Sequence, residues 1–166
     1  MTQPKFAIVT GASSGIGLEI ARLAASEGYD LLVAADTPLV DAAAALKGLG
    51  VEVRSVEADL ATAAGVDQLL DATGGRFVDV LVANAGHGLG RAFLDQEPRE
   101  WRHVIDTNVT GTLLLIQQVA REMVARKQGR ILITGRSPAT SPAASRPSIT
   151  AARRSSTASP TRSATN

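Results

Sequence analysis

Between residues 5 and 135, short runs of β-branched and other apolar residues alternate with longer stretches whose apolar side chains recur at helical spacing. Strands that are each followed by a helix return to the sheet in the same direction, which gives a parallel sheet with helices on both faces. Five strands are predicted: Phe6 to Thr10, Asp30 to Ala35, Val51 to Glu57, Val78 to Ala83 and Arg130 to Thr134. Between them, Ile16, Ile20, Leu23 and Ala24 mark a helix from Ile16 to Glu27, with Gly28 as its C-cap. Thr37-Pro38 reads as the cap and first position of a second helix, Leu39 to Leu46. A third is predicted at Ala63 to Ala72, and the longest runs from about Val104 to Lys127.

The first strand passes into the first helix through VTGASSGIG, which places Gly11, Gly15 and Gly17 at the junction. Glycine there allows a tight turn, a close approach of backbone to ligand, and a helix lying near the sheet. The helix N-terminus presents free N–H groups and a positive dipole end, a fitting environment for phosphate. On these grounds the fold class is α/β, a Rossmann-type doubly wound parallel sheet, incomplete at about five strands.

The spacing TGxxxGxG resembles that of the short-chain dehydrogenase/reductase family, and three further segments match in order and position. ANAG at Ala83 to Gly86 follows the fourth strand, EADL at Glu57 to Leu60 follows the third, and DTNVTG at Asp106 to Gly111 lies in the helix before the fifth. The resemblance covers residues 5 to 135. It implies an oxidoreductase that moves hydride between a nicotinamide dinucleotide and a carbonyl or alcohol substrate of unknown identity, in a parent that is a homo-oligomer. The implied cofactor contacts are Gly11, Ser13, Ser14, Gly15, Ile16 and Gly17 in the turn, then Asp36, Asp59, Leu60, Asn84, Ala85 and Gly86. Asn84 has a second reading as a bridge between strand ends, and Asp59 one as the cap of a turn. Asp36 is placed to accept the adenosine ribose hydroxyls, and no basic residue stands there or at Ser14 to receive a 2′-phosphate, which favours NAD over NADP. Asn108 is implied to hold a water in a proton relay; it also reads as a helix-bending residue bonded to backbone.

The family's chemistry uses a Ser just after the fifth strand, a Tyr and a Lys. Here Arg136, Ile149 and Arg153 occupy those positions, and the one tyrosine, Tyr29, precedes the second strand. The chain as written therefore lacks the acid that protonates a carbonyl oxygen and the Lys that lowers its pKa. From Arg136 onward, 31 residues hold 13 Ser/Thr, 4 Pro and 5 Arg, and Ile149 is the single apolar residue larger than Ala. Such a segment cannot bury enough surface to offset its ordering entropy and is expected to be disordered. The genetic code offers a reason. If each true codon takes the last base of one printed residue and the first two of the next, Pro147-Ser148 permits Val, Ser148-Ile149 permits Tyr, and Ala152-Arg153 permits Lys. Read this way from Gly135, the chain admits a Ser, a Tyr and a Lys at the family's spacing. The division expected is thus residues 1–135 as the N-terminal part of a dinucleotide-binding domain and 136–166 as an out-of-frame tail.

Charge follows the same division: residues 1 to 135 sum to −4 and the tail to +5. Five Arg without aromatic residues give at most a weak, salt-sensitive attraction, so neither nucleic acid nor membrane is expected as a partner. No apolar run reaches the length of a membrane span, the opening residues carry no signal-peptide pattern, and there is no cysteine. The expected compartment is the cytoplasm. His87 and His103 show no ligand spacing to carboxylates or to each other and read as surface residues, and Trp101 reads as packing.

Overall fold

The computed structural model describes residues 4–135; the tail, with Arg136, Ile149 and Arg153, lies outside the described residues. The five predicted strands form one parallel sheet of order β3-β2-β1-β4-β5, with β1 at Phe6–Thr10, β2 at Asp30–Ala35, β3 at Val53–Glu57, β4 at Val80–Ala83 and β5 at Arg130–Ile133. Register aligns Arg54, Leu32, Ile8, Leu81 and Ile131 in one row and Ser55, Val33, Val9, Val82 and Leu132 in the next. Successive rows point to opposite faces. The Ile8 row meets α3 (Ala63–Asp71) and α5 (Thr112–Arg126) through Val66, Leu69, Leu115, Val119 and Met123. The Val9 row meets α1 (Gly15–Ser26) and α2 (Val40–Lys47) through Ala21, Ala25, Ala42, Ala43 and Leu46. Each large side chain fully buried in these layers contributes about 1.5–3 kcal/mol. Every residue of β1 and β2 is buried, because both strands lie between neighbours and under helices on both sides.

β3 and β4 start two residues later than the apolar pattern predicts, and acidic side chains explain both delays. The Phe6 N–H donates to Asp79 Oδ2 (2.9 Å) and the Glu52 N–H to Asp30 Oδ1 (3.0 Å), so carboxylates take amides that ladder carbonyls would otherwise receive. Arg76 then pairs with Asp30 at 2.9 Å. Gly28 closes α1 as predicted: its φ is +80°, its N–H donates to Ala25 O, and the Tyr29 N–H donates to Ala24 O. At the end of α5 the same left-handed position falls on Lys127, with φ +56°.

Two predictions need correction. Thr37 does not cap α2, which starts at Val40 after Leu39; the Thr37 hydroxyl instead donates to Ser13 Oγ at 3.0 Å. The long helix begins well before Val104. It opens as α4 (Pro98–Ile105), passes through a π-helical turn at Asp106–Gly111 and continues as α5. Pro98 occupies the first helical position, and the Glu97 N–H donates to Glu100 Oε2 at 2.9 Å. That bond, together with Arg91, holds the Glu100 carboxyl below the usual carboxylate range. Among the described residues, no helix is long and apolar enough to cross a membrane.

Candidate functional site

In the order β3-β2-β1-β4-β5, chain connections leave β1 in one direction toward β2 and, after β3, cross to β4 on its other side. The crevice above the carboxyl ends of β1 and β4 is the switch point at which open α/β sheets receive ligands. The residues singled out in the sequence gather along this edge. Gly11 to Gly17 follow β1, Asp36 follows β2, Asp59 and Leu60 follow β3, and Asn84 to Gly86 follow β4.

The glycine turn is closely fitted. Gly11 and Gly15 have φ of +65° and +58°, which disfavours any side chain there. A Cβ on Gly17 would lie 2.1 Å from Gly11 O and 2.5 Å from Asn84 Nδ2, so only glycine lets α1 approach the turn. Ser14 stands at the helix N-cap, yet its side chain accepts no capping bond, and the first turn of α1 contains no acid. The opening amides of α1 therefore lack a side-chain cap and face the crevice mouth, an arrangement able to receive an anion. Ser14, Gly15 and Ile16 are exposed, and Ser13 is half-buried against Thr37.

Asn84 ties the strand ends together. Its Nδ2 donates to Thr10 O (3.0 Å) and Gly11 O (3.2 Å), and its Oδ1 accepts from the Thr134 hydroxyl (2.9 Å). The Thr10 hydroxyl is a hub that motif reading missed. It accepts from the N–H groups of Asn84 and Ala85 and donates to Val82 O, which uses its whole hydrogen-bonding capacity. Thr10 precedes the first glycine of the motif, so its position was legible, but its partners, more than 70 residues away, were not. Nothing in the sequence signalled Thr134.

Asp59 is exposed, and its Oδ1 accepts the Ala61 N–H at 2.9 Å, the turn-capping bond that was its second reading. Leu60 is buried, and its carbonyl lies where a Cβ on Gly111 would sit, 1.7 Å away, so the glycine of DTNVTG brings the π turn against this loop. Asn108 clamps the segment after β4: its Oδ1 accepts the His87 N–H (3.0 Å) and its Nδ2 donates to His87 O (2.8 Å). Asp36 is exposed at the rim beside Thr37.

Comparison with known proteins agrees with this architecture. The family model described as short chain dehydrogenase matches residues 5–155, beyond residue 135, where the resemblance read from the motifs ends. A 3-oxoacyl-(acyl-carrier-protein) reductase of Staphylococcus epidermidis is 37% identical over 133 residues, covering 77% of this chain and 54% of its own. NAD+-bound xylitol dehydrogenase superposes with TM-score 0.71 at 31% identity, over 79% of this chain and 52% of that one. L-sorbose reductase of Gluconobacter frateurii, complexed with NADPH and L-sorbose, gives TM-score 0.71 at 34% identity, over 78% of this chain and 51% of that one. The chain thus spans about half the length of the relatives it matches. A family model reaching across most of the sequence, and relatives 31–37% identical over more than three quarters of it, make this chain a member of the short-chain dehydrogenase family.

Proposed function

We propose that residues 1–135 bind a nicotinamide dinucleotide, NAD in preference to NADP, and that the chain with the tail 136–166 as written does not turn over a substrate. One observation carries the binding reading: the glycine cradle beneath an uncapped α1 N-terminus, where Gly17 is irreplaceable for steric reasons. In this reading Gly11, Ser13, Ser14, Gly15, Ile16 and Gly17 surround the pyrophosphate and Asp36 accepts the adenosine ribose hydroxyls. Asp59 and Leu60 border the adenine, and Asn84, Ala85 and Gly86 line the path toward the nicotinamide. When bound, the cofactor supplies the hydride exchange; the protein's part is to orient it.

The intact parent acts on a carbonyl or alcohol, in keeping with relatives named as a 3-oxoacyl reductase, a xylitol dehydrogenase and an L-sorbose reductase. Those names do not agree on a substrate, and relatives carry either NAD+ or NADPH. Asn108 would hold the relay water in that parent. Here Arg136, Ile149 and Arg153 stand at the Ser, Tyr and Lys positions, which leaves no proton donor for the substrate oxygen. The out-of-frame reading of 136–166 accounts for all three at once. The apolar residues Ile105, Val109 and Leu113, spaced four apart on α4 to α5 and about half exposed, support a homo-oligomeric parent.

Calorimetry with NAD+ and NADP+ on the full chain tests this reading, alongside absorbance at the reduced-nicotinamide band with alcohol and carbonyl panels. NAD+ is expected to bind more tightly than NADP+, with no turnover. Asp36→Ala is expected to weaken NAD+ by about 1.5–3 kcal/mol, ten- to a hundredfold, and to leave NADP+ no worse. Absence of heat with both cofactors, or turnover by protein of verified mass, would overturn it.

A further inference from the structure

His87 and His103 are 16 positions apart, and one lies on the loop after β4 while the other lies on α4. The fold brings their rings together, with centroids 5.1 Å apart and planes tilted by 42°. Both residues are half-buried. Each backbone is held independently of the ring contact. His87 has its N–H and its carbonyl in the grip of Asn108, and the start of α4 is fixed by the Glu97–Glu100 bond and the Arg91–Glu100 ion pair. Arg102, the charged neighbour of His103 in sequence, lies over the Trp101 ring at 5.4 Å.

We propose that these two imidazoles form a site for a borderline divalent transition ion, Zn2+, Ni2+ or Cu2+, which ties the loop after β4 to α4. The separation matches the chemistry. An ion about 2.0–2.1 Å from one nitrogen of each ring, with a right to tetrahedral angle between the bonds, sets the centroids roughly 4.5–5.2 Å apart. Asn108 fixes the backbone of His87 and α4 that of His103, so the side-chain torsions of the two rings are what the ion has left to order. Among the described residues no cluster of three or more His, Cys, Asp or Glu side chains forms a fuller cage, so water completes the coordination. Two neutral nitrogens and no carboxylate select imidazole-seeking ions and give Mg2+ or Ca2+ nothing to prefer. The segment bracketed by the two residues includes the exposed Phe93 and Leu94, which such a cross-link would hold against α4.

The test is calorimetry and thermal melting of the full chain with NiCl2, ZnCl2 and MgCl2, for the wild type, His87→Gln and His103→Gln. One equivalent of Ni2+ or Zn2+ is expected to bind and to raise the melting temperature, since a ligand selective for the native state stabilises it. Each single substitution is expected to weaken binding by more than roughly tenfold, as befits loss of one of two ligands. Far-UV dichroism checks that the variants fold. If either does not, substoichiometric Cu2+ added to the wild type should broaden the proton signals of both imidazoles together. No binding, equal binding of Mg2+, binding that survives both substitutions, or broadening of only one ring would overturn the proposal.

Discussion

Asn84, itself just beyond β4, uses all its side-chain polar atoms on the ends of two other strands. Thr10 and Gly11 at the end of β1 receive its two N–H groups, and Thr134 just beyond β5 donates to its oxygen. Its position in ANAG was legible, and so were two roles for it; what the sequence lacked was any sign that Thr10 and Thr134 would be its partners. The structure establishes the bridging role, and a contact with cofactor is compatible with it because the residue is half-buried at the crevice. Removing the side chain by Asn84→Ala leaves Thr10 O and Gly11 O short of donors and opens space beneath Gly17, which should cost about 1–3 kcal/mol in a denaturant melt. Asn84→Asp should be at least as damaging, since a carboxylate would then face two carbonyl oxygens about 3 Å away. A neutral Asn84→Asp would show that the bridge contributes nothing to stability.

At the scale of the element, β5 has a composition at odds with its surroundings. Ile131 continues the row of Leu32, Ile8 and Leu81, and Leu132 continues the row of Val33, Val9 and Val82, yet Ile131, Leu132 and Ile133 are 36%, 47% and 59% exposed. The strand pairs on one side alone among the described residues, so it offers unpaired backbone groups flanked by apolar side chains on both faces. That conflict was readable in advance: three bulky apolar residues in a row suit a strand covered on both faces, and after Gly135 the sequence has Ile149 as its single apolar residue larger than Ala. The helix before it was less legible. The start at Pro98 lies in a stretch rich in charge, where local capping by Glu97 and Glu100 decides the helix and apolar periodicity does not. The exposed edge should drive association at micromolar concentration. Leu132→Lys, which places a charge on the open edge, is expected to shift sedimentation toward smaller species while leaving the far-UV spectrum unchanged. A wild-type chain that sediments as a monomer and melts cooperatively would count against this account of β5.

The whole molecule carries the same conflict onto a larger scale. Alternating strand and helix patterns and one glycine-rich junction were enough to specify a doubly wound sheet, because each helix returns the chain in the same sense and each face needs covering. Strand ends, the π turn and the partners of Thr10 were not legible, since they depend on carboxylates and hydroxyls that meet across the fold. The chain covers about half of its relatives' length, and its own sequence changes character at Gly135. If 136–166 is out of frame, a gene re-encoded one base on from Gly135 should yield a chain that restores both a cover for β5 and a Ser, a Tyr and a Lys after it. Reburying the three side chains of β5 at about 1 kcal/mol each, given their present half exposure, corresponds to a rise in melting temperature on the order of 10 °C for a chain of this size. The same chain should turn over an alcohol or carbonyl with NAD(H), and replacing the restored Tyr by Phe should abolish turnover without lowering the melting temperature, since a general acid is lost and packing is not. A shifted frame that meets a stop within a few codons, or a product that neither melts higher nor turns over, would mean that the tail as written belongs to the protein and that β5 is covered by other means.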